Sequence, residues 1–194
     1  MSQLRAPRIA GVAGGVGTTT LATALRGYDR GRAFGHGCEL LVCRCTGESL
    51  HRAAMVTSWF AQHDLPRPVL AVNADVPVPM RGPLRARLRM IEPQVSGLVL
   101  VPYVMHWREL TDPLGEAARL SETPTEELPR PLRPYSDALV RLAQAVLGAG
   151  LLRGGPGAHG PASTTQTLPG ITGPLTQTGP QPPVPACAAT GGAP

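Results

Sequence analysis

Lysine is absent from this chain: all 18 basic residues are arginine. That excludes a lysine nucleophile or Schiff base, and a lysine cation at any phosphate site. Aromatic residues are scarce, with two Trp, three Tyr and two Phe. None is interleaved with Arg81, Arg85 and Arg89, which argues against single-strand binding there. No apolar run approaches the ~20 residues needed to span a bilayer. The N-terminus MSQLRAPR lacks the apolar segment of a secretory signal, so the chain is expected to be cytoplasmic. The four cysteines, Cys38, Cys43, Cys45 and Cys187, show no C-x-x-C zinc spacing. Cys43 and Cys45 alternate along one expected strand, so they face opposite ways and cannot chelate together. They read as reduced thiols.

What is abundant is glycine and proline, 23 and 22 residues, unevenly spread. Residues 151–194 hold nine of each and one charge, Arg153. Such a segment buries too little apolar surface to offset its ordering entropy, so 150–194 is expected to be a disordered tail. Residues 1–149 form the expected domain. The net charge of +5 permits an acidic partner without requiring one.

The domain is organised around IAGVAGGVGTTTLATAL, residues 9–25. An apolar strand, Ile9 to Val12, runs into a loop with Gly14, Gly15 and Gly17. Thr18, Thr19 and Thr20 then open a helix to about Arg26. Glycines let backbone N–H groups turn inward, which is how a loop cradles phosphate. The alternative is a tight turn without a ligand. Apolar runs at Glu39–Arg44, Val69–Asn73 and Gly97–Val101 predict three further strands, covered on both faces. Helical periodicity predicts helices at about Leu50–Gln62 (with Ser49 as N-cap), Leu84–Ile91 and Tyr135–Leu147. One or two further turns fall between His106 and Leu120. Tyr28–Gly37 reads as a loop. Alternation of strand and helix gives a three-layer α/β fold with about four parallel strands.

Several residues carry two readings. Asn73, at a strand end, either caps the next loop or contacts a ligand. Arg81, Arg85 and Arg89 recur every four residues and share a helix face, either solvated or an anion and nucleic-acid patch. His51, His63 and His106 are scattered without metal-ligand spacing. Phe60 reads as core; Trp59 or Trp107 is available to an interface.

The loop AGGVGTTTLA resembles the deviant Walker A of the ParA/MinD superfamily, usually written GKGGVGKTT. Gly14, Gly15, Val16, Gly17, Thr19 and Thr20 match it. Ala13 and Thr18 stand where that pattern has lysines, and Val12 replaces its first glycine. Three later stretches follow in the family's order: ELLVCRCTGESLHRA, VLAVNADVP and VSGLVLVPYVMHWRELTD. Together they cover roughly residues 8–120. The chain also looks like a group of short actinobacterial P-loop-like proteins.

The resemblance implies a P-loop NTPase-like domain that binds ATP and Mg²⁺. It places the phosphates on Gly14–Thr20, Mg²⁺ on Thr19, and the base near Asn73 and Pro102. It implies an adaptor or switch in DNA segregation, DNA transfer or secretion, acting with a protein partner. With both lysines gone, hydrolysis is expected to be deficient. The family has two further strands here that carry its switch aspartates; about a dozen residues separate the helix from Glu39, so both are expected to be deleted, and Asp29 is expected in a loop. Their loss would leave the order 1-2-3-4, with Ile9–Val12 at an open edge covered by the N-terminus, by Tyr28–Gly37, or by a homodimer. Competing readings are an ATPase that borrows a partner's arginine, an interaction module with a vestigial loop, and a nucleic-acid-binding accessory protein.

Overall fold

The computed structural model describes residues 4–33, 35–77 and 82–153. Arg81, Cys187 and most of the expected tail lie outside them. The chain is α/β, with a five-stranded parallel sheet in the order β2-β1-β3-β4-β5. The strands are β1 (Arg8–Gly11), β2 (Tyr28–Arg32), β3 (Leu40–Arg44), β4 (Val69–Asn73) and β5 (Gly97–Val101). The helices are α1 (Thr18–Ala24), α2 (Gly47–Gln62), α3 (Pro83–Ile91), α4 (Pro113–Arg119) and α5 (Arg133–Gly148). Helix α2 packs on β3 with α3 against it; α1 packs on β1, β2 and α4, and α5 on β4 and β5.

The central strands follow from composition. LLVC of β3 and VLAV of β4 are wholly buried, the continuous apolar pattern of strands covered on both faces. The stripe Leu50, Ala53, Phe60 on α2 lies in the same core, as does Leu139, Leu142, Val146 on α5. Phe60 is enclosed, as its spacing predicts. Helix α2 starts earlier than expected. Its N-cap is Thr46, whose hydroxyl accepts from the Ser49 N–H at 3.3 Å. Ser49 instead turns its hydroxyl to accept the Arg44 N–H at 2.8 Å, fastening the helix start to the end of β3.

The expected count of four strands, and the open edge at β1, are corrected. Tyr28–Arg32 is a strand, and it pairs in parallel with β1 through Arg8↔Tyr28, Ile9↔Asp29 and Gly11↔Arg32. β1 is therefore flanked on both sides, and the interval before Glu39 is not a bare loop. The register slips by one residue between Ile9 and Gly11. The sequence YDRGR hides this strand because every one of its residues is exposed. Its strand state comes from backbone pairing to β1, and its charges suit a sheet edge, where they discourage further pairing.

The chain remains engaged past the expected boundary at 149/150. Leu4 and Arg153 form an antiparallel bridge, and the Arg5 N–H donates to the Leu152 carbonyl at 3.4 Å. Leu152 is buried. Among the described residues no helix is long and apolar enough to cross a membrane.

Cys38 and Cys43 are enclosed. Burial pushes the Cys38 thiol up to about 12, helped by the nearby Glu39 charge. Burial does the same for Cys43, also to about 12, with Cys45 and Asp75 adding to it. Cys45 is raised by burial as well. Alkylation needs the thiolate, whose fraction at pH 8 would be on the order of 10⁻⁴ for such thiols. Iodoacetamide at pH 8 should therefore leave Cys38 and Cys43 unmodified in the native protein and label both in denaturant. Rapid native labelling of either, read by peptide mass spectrometry, would contradict this burial.

Candidate functional site

In a parallel sheet all strands end at one edge, where ligands collect. Here that edge carries Gly11, Arg32, Arg44, Asn73 and Val101. The register sets them side by side: Gly11 opposite Arg32, Arg44 opposite Asn73, Asn73 opposite Val101. The glycine loop rises from the middle of this row.

The loop's polarity is fixed by what holds its carbonyls. Arg44 donates to the Gly15 carbonyl through Nε at 3.0 Å and through its terminal nitrogen at 2.5 Å. Asn73 donates its side-chain amide to the Val16 carbonyl at 2.6 Å. The Gly17 carbonyl accepts the Leu21 N–H at 3.1 Å. Three carbonyls in succession are thus drawn to protein donors. Among the described residues, the backbone N–H groups from Ala13 to Thr20 meet no protein acceptor. Gly15 and Gly17 make this possible with φ of 70° and 92°, values that L side chains resist. The result is a run of amides without protein acceptors along the loop and the start of α1, with Gly14, Gly15 and Thr19 exposed, a backbone that can accept an anion.

A cavity of about 400 Å³ opens on this loop, lined by Gly14, Gly17, Thr19, Asp29 and Arg32 among others. The Thr19 hydroxyl donates to one Asp29 carboxylate oxygen at 2.7 Å. The other Asp29 oxygen accepts the Gly31 N–H at 2.8 Å. With its proton committed to Asp29, the Thr19 oxygen keeps its lone pairs for a cation. A hydroxyl beside a carboxylate is a donor set that suits Mg²⁺, which takes one or two protein ligands and completes its shell with phosphate and water. Thr19 and Asp29 are the residues here that could hold such a cation.

The other expected site residues are placed as follows. Thr18 is buried, 9% exposed, with its hydroxyl beneath the loop against Gly11. Val16 is buried; Thr20 lies half-buried facing a second cavity of about 230 Å³. Asn73 and Pro102 border that same cavity, with Tyr103, Trp107 and Tyr135. Asn73 ties the loop through its amide nitrogen, while its oxygen is enclosed without a hydrogen-bond partner, as is the Trp107 ring nitrogen. Of the arginine face, Arg85 and Arg89 are exposed on α3, and Arg87 donates to the Gly47 carbonyl at 2.7 Å.

Two participants escape a reading of sequence alone, Arg32 and Arg44, and Asp29, expected in a loop, lies on β2 beside Thr19. Arg44 closes a run of apolar residues and Arg32 follows a glycine in a polar stretch. The available signal was position, since both end strands on the edge that carries the loop. No family model, curated protein or solved structure matches the chain.

Proposed function

We propose that this chain is a nucleotide-binding protein of ParA/MinD-like type that holds the phosphates of ATP, with Mg²⁺, on the loop Gly14–Thr20. It would act as a ligand-dependent adaptor or switch with a protein partner in DNA segregation, DNA transfer or secretion. The observation that carries the binding reading is the loop itself. Its amides from Ala13 to Thr20 are unpaired, while Arg44 and Asn73 draw its carbonyls away. Loop amides without protein acceptors, beside carbonyls that are held by Arg44 and Asn73, remain available to an anion. The process is supported only by the resemblance of the motifs.

Phosphoryl transfer depends on positioned cations and on a group that orients the attacking water. Asp29 has both oxygens engaged, and Asp75 faces Arg44 at 3.8 Å. Neither carboxylate stands free to orient water, so turnover should be very slow. Lacking a loop lysine, whose charge-assisted contact adds roughly 1.5–3 kcal/mol, the site should bind weakly. That deficit is about one to two decades in affinity.

Calorimetric titration of the purified protein with ATP, with and without Mg²⁺, tests the reading. The expected outcome is weak binding that Mg²⁺ strengthens, with phosphate release at background level. Absence of any binding at millimolar ATP would leave the loop vestigial and favour the interaction module. Turnover at an ordinary ATPase rate would overturn the switch reading.

A further inference from the structure

Resting on that reading, we infer that Arg32 supplies the phosphate-binding cation that this lysine-free loop otherwise lacks. The side chains around the loop divide cleanly. Arg44 is committed to the Gly15 carbonyl, with Asp75 beyond it. Arg52 is paired to Glu48 at 2.7 Å. Arg32 has no hydrogen-bond or ion-pair partner among the described residues, yet it borders the loop cavity beside Thr19 and Asp29. It also borders a cavity of about 490 Å³ on the loop's other flank, beside Arg44 and Ser49. Its terminal nitrogen lies 3.8 Å from the point where a Cβ on Gly14 would stand. A guanidinium without a hydrogen-bond or ion-pair partner among the described residues thus lies beside a run of amides without protein acceptors, in cavities that Asp29 and Glu48 also line, and guanidinium and amides attract the same kind of group.

The fold explains how the charge arrives there. β2 pairs with β1 so that Arg32 falls opposite Gly11, where β1 turns up into the loop. The one-residue slip in that pairing shifts the end of β2 relative to β1. One short strand therefore delivers both the carboxylate beside Thr19 and the free cation. A guanidinium offers a planar fork of donors, which fits two phosphate oxygens at once. The ligand class is a polyphosphate ester, bound by loop amides on one side and by Arg32 on the other. A cationic side chain on the rim then makes one charge-assisted phosphate contact, while the further contact that a lysine within the loop would add is still missing.

The test compares wild type with Arg32→Gln, Arg32→Lys and Arg30→Gln. Each is titrated with MgATP and with inorganic tripolyphosphate, which shares the phosphates and has no base. Arg32 is exposed, so its variants should melt at the wild-type temperature. Arg32→Gln should weaken both probes about 10- to 100-fold, the loss of one charge-assisted contact. Arg32→Lys should recover part of that loss, and Arg30→Gln, on the same strand and away from the loop cavities, should stay within about twofold of wild type. If wild type binds and Arg32→Gln binds equally well, Arg32 is not the cation and the nucleotide reading survives. If wild type binds neither probe, the nucleotide reading falls and takes this inference with it.

Discussion

Replacing Glu39 by alanine is expected to lower stability by about 3 kcal/mol, the low end of the range for breaking a buried ion pair. Glu39 precedes β3, and its side chain is only 4% exposed. Its carboxylate accepts from Arg5 at 2.7 and 3.0 Å, from the Arg8 side chain at 2.6 Å, and from the Arg8 N–H at 2.6 Å. These contacts join the N-terminal segment, the start of β1 and the start of β3. Arg5 also donates to the Leu151 carbonyl at 3.2 Å, which brings in the end of the described chain. Truncation leaves two guanidinium groups without their acceptor. The low end of the range applies because both arginines are about one-third exposed and regain water.

The same cluster sets a pH dependence. Burial alone would push the Glu39 carboxyl up, but the hydrogen bonds from Arg5 and Arg8 outweigh it and hold the group below its ordinary value. A carboxyl depressed in the folded state stabilises fully above its unfolded pKa of about 4.3. That contribution is lost as pH falls through the lower folded-state value. Glu39→Gln should therefore be less stable than wild type at pH 7, with the gap shrinking below about pH 4. Urea midpoints at pH 7, 4 and 3 measure this. A gap that stays constant with pH would mean that the Glu39 charge contributes nothing.

Gly17→Ala should cost roughly 2–4 kcal/mol and, on the proposed nucleotide reading, abolish ATP binding by the folded protein. Two penalties coincide there. The backbone holds φ at 92°, where a side chain adds about 1–2 kcal/mol. A Cβ would also fall on the Asn73 amide, the group that holds the Val16 carbonyl. Relieving that overlap forces Asn73 off its partner and lets the loop reclose its own hydrogen bonds. Gly150→Ala separates the two penalties, since Gly150 has φ of 70° with open space around it. Unfolding in urea should rank Gly17→Ala well below Gly150→Ala. Equal losses would show that the loop yields freely and that the Asn73 tie does not fix it.

What could be read from sequence was whatever is repeated locally. ELLVCR, VLAVN and GLVLV announced buried parallel strands through unbroken apolar runs. Ala53, Val56, Phe60 and the later Leu139, Leu142, Val146 announced helix faces through their spacing, with Val56 only partly buried against the core. The glycine loop was legible because glycine allows the positive φ that Gly15 and Gly17 adopt. β2 was not, because YDRGR carries no apolar pattern, and its strand state is decided by the unpaired edge of β1. Once β2 is a strand, Asp29 meets Thr19 and Arg32 stands opposite Gly11. Glu39 likewise gave no sign of its role, since its partners lie 31 and 34 residues away. The tertiary structure decided these pairings because side-chain periodicity is a property of one segment. Convergence at the carboxyl edge depends on strand order and register, which no segment contains.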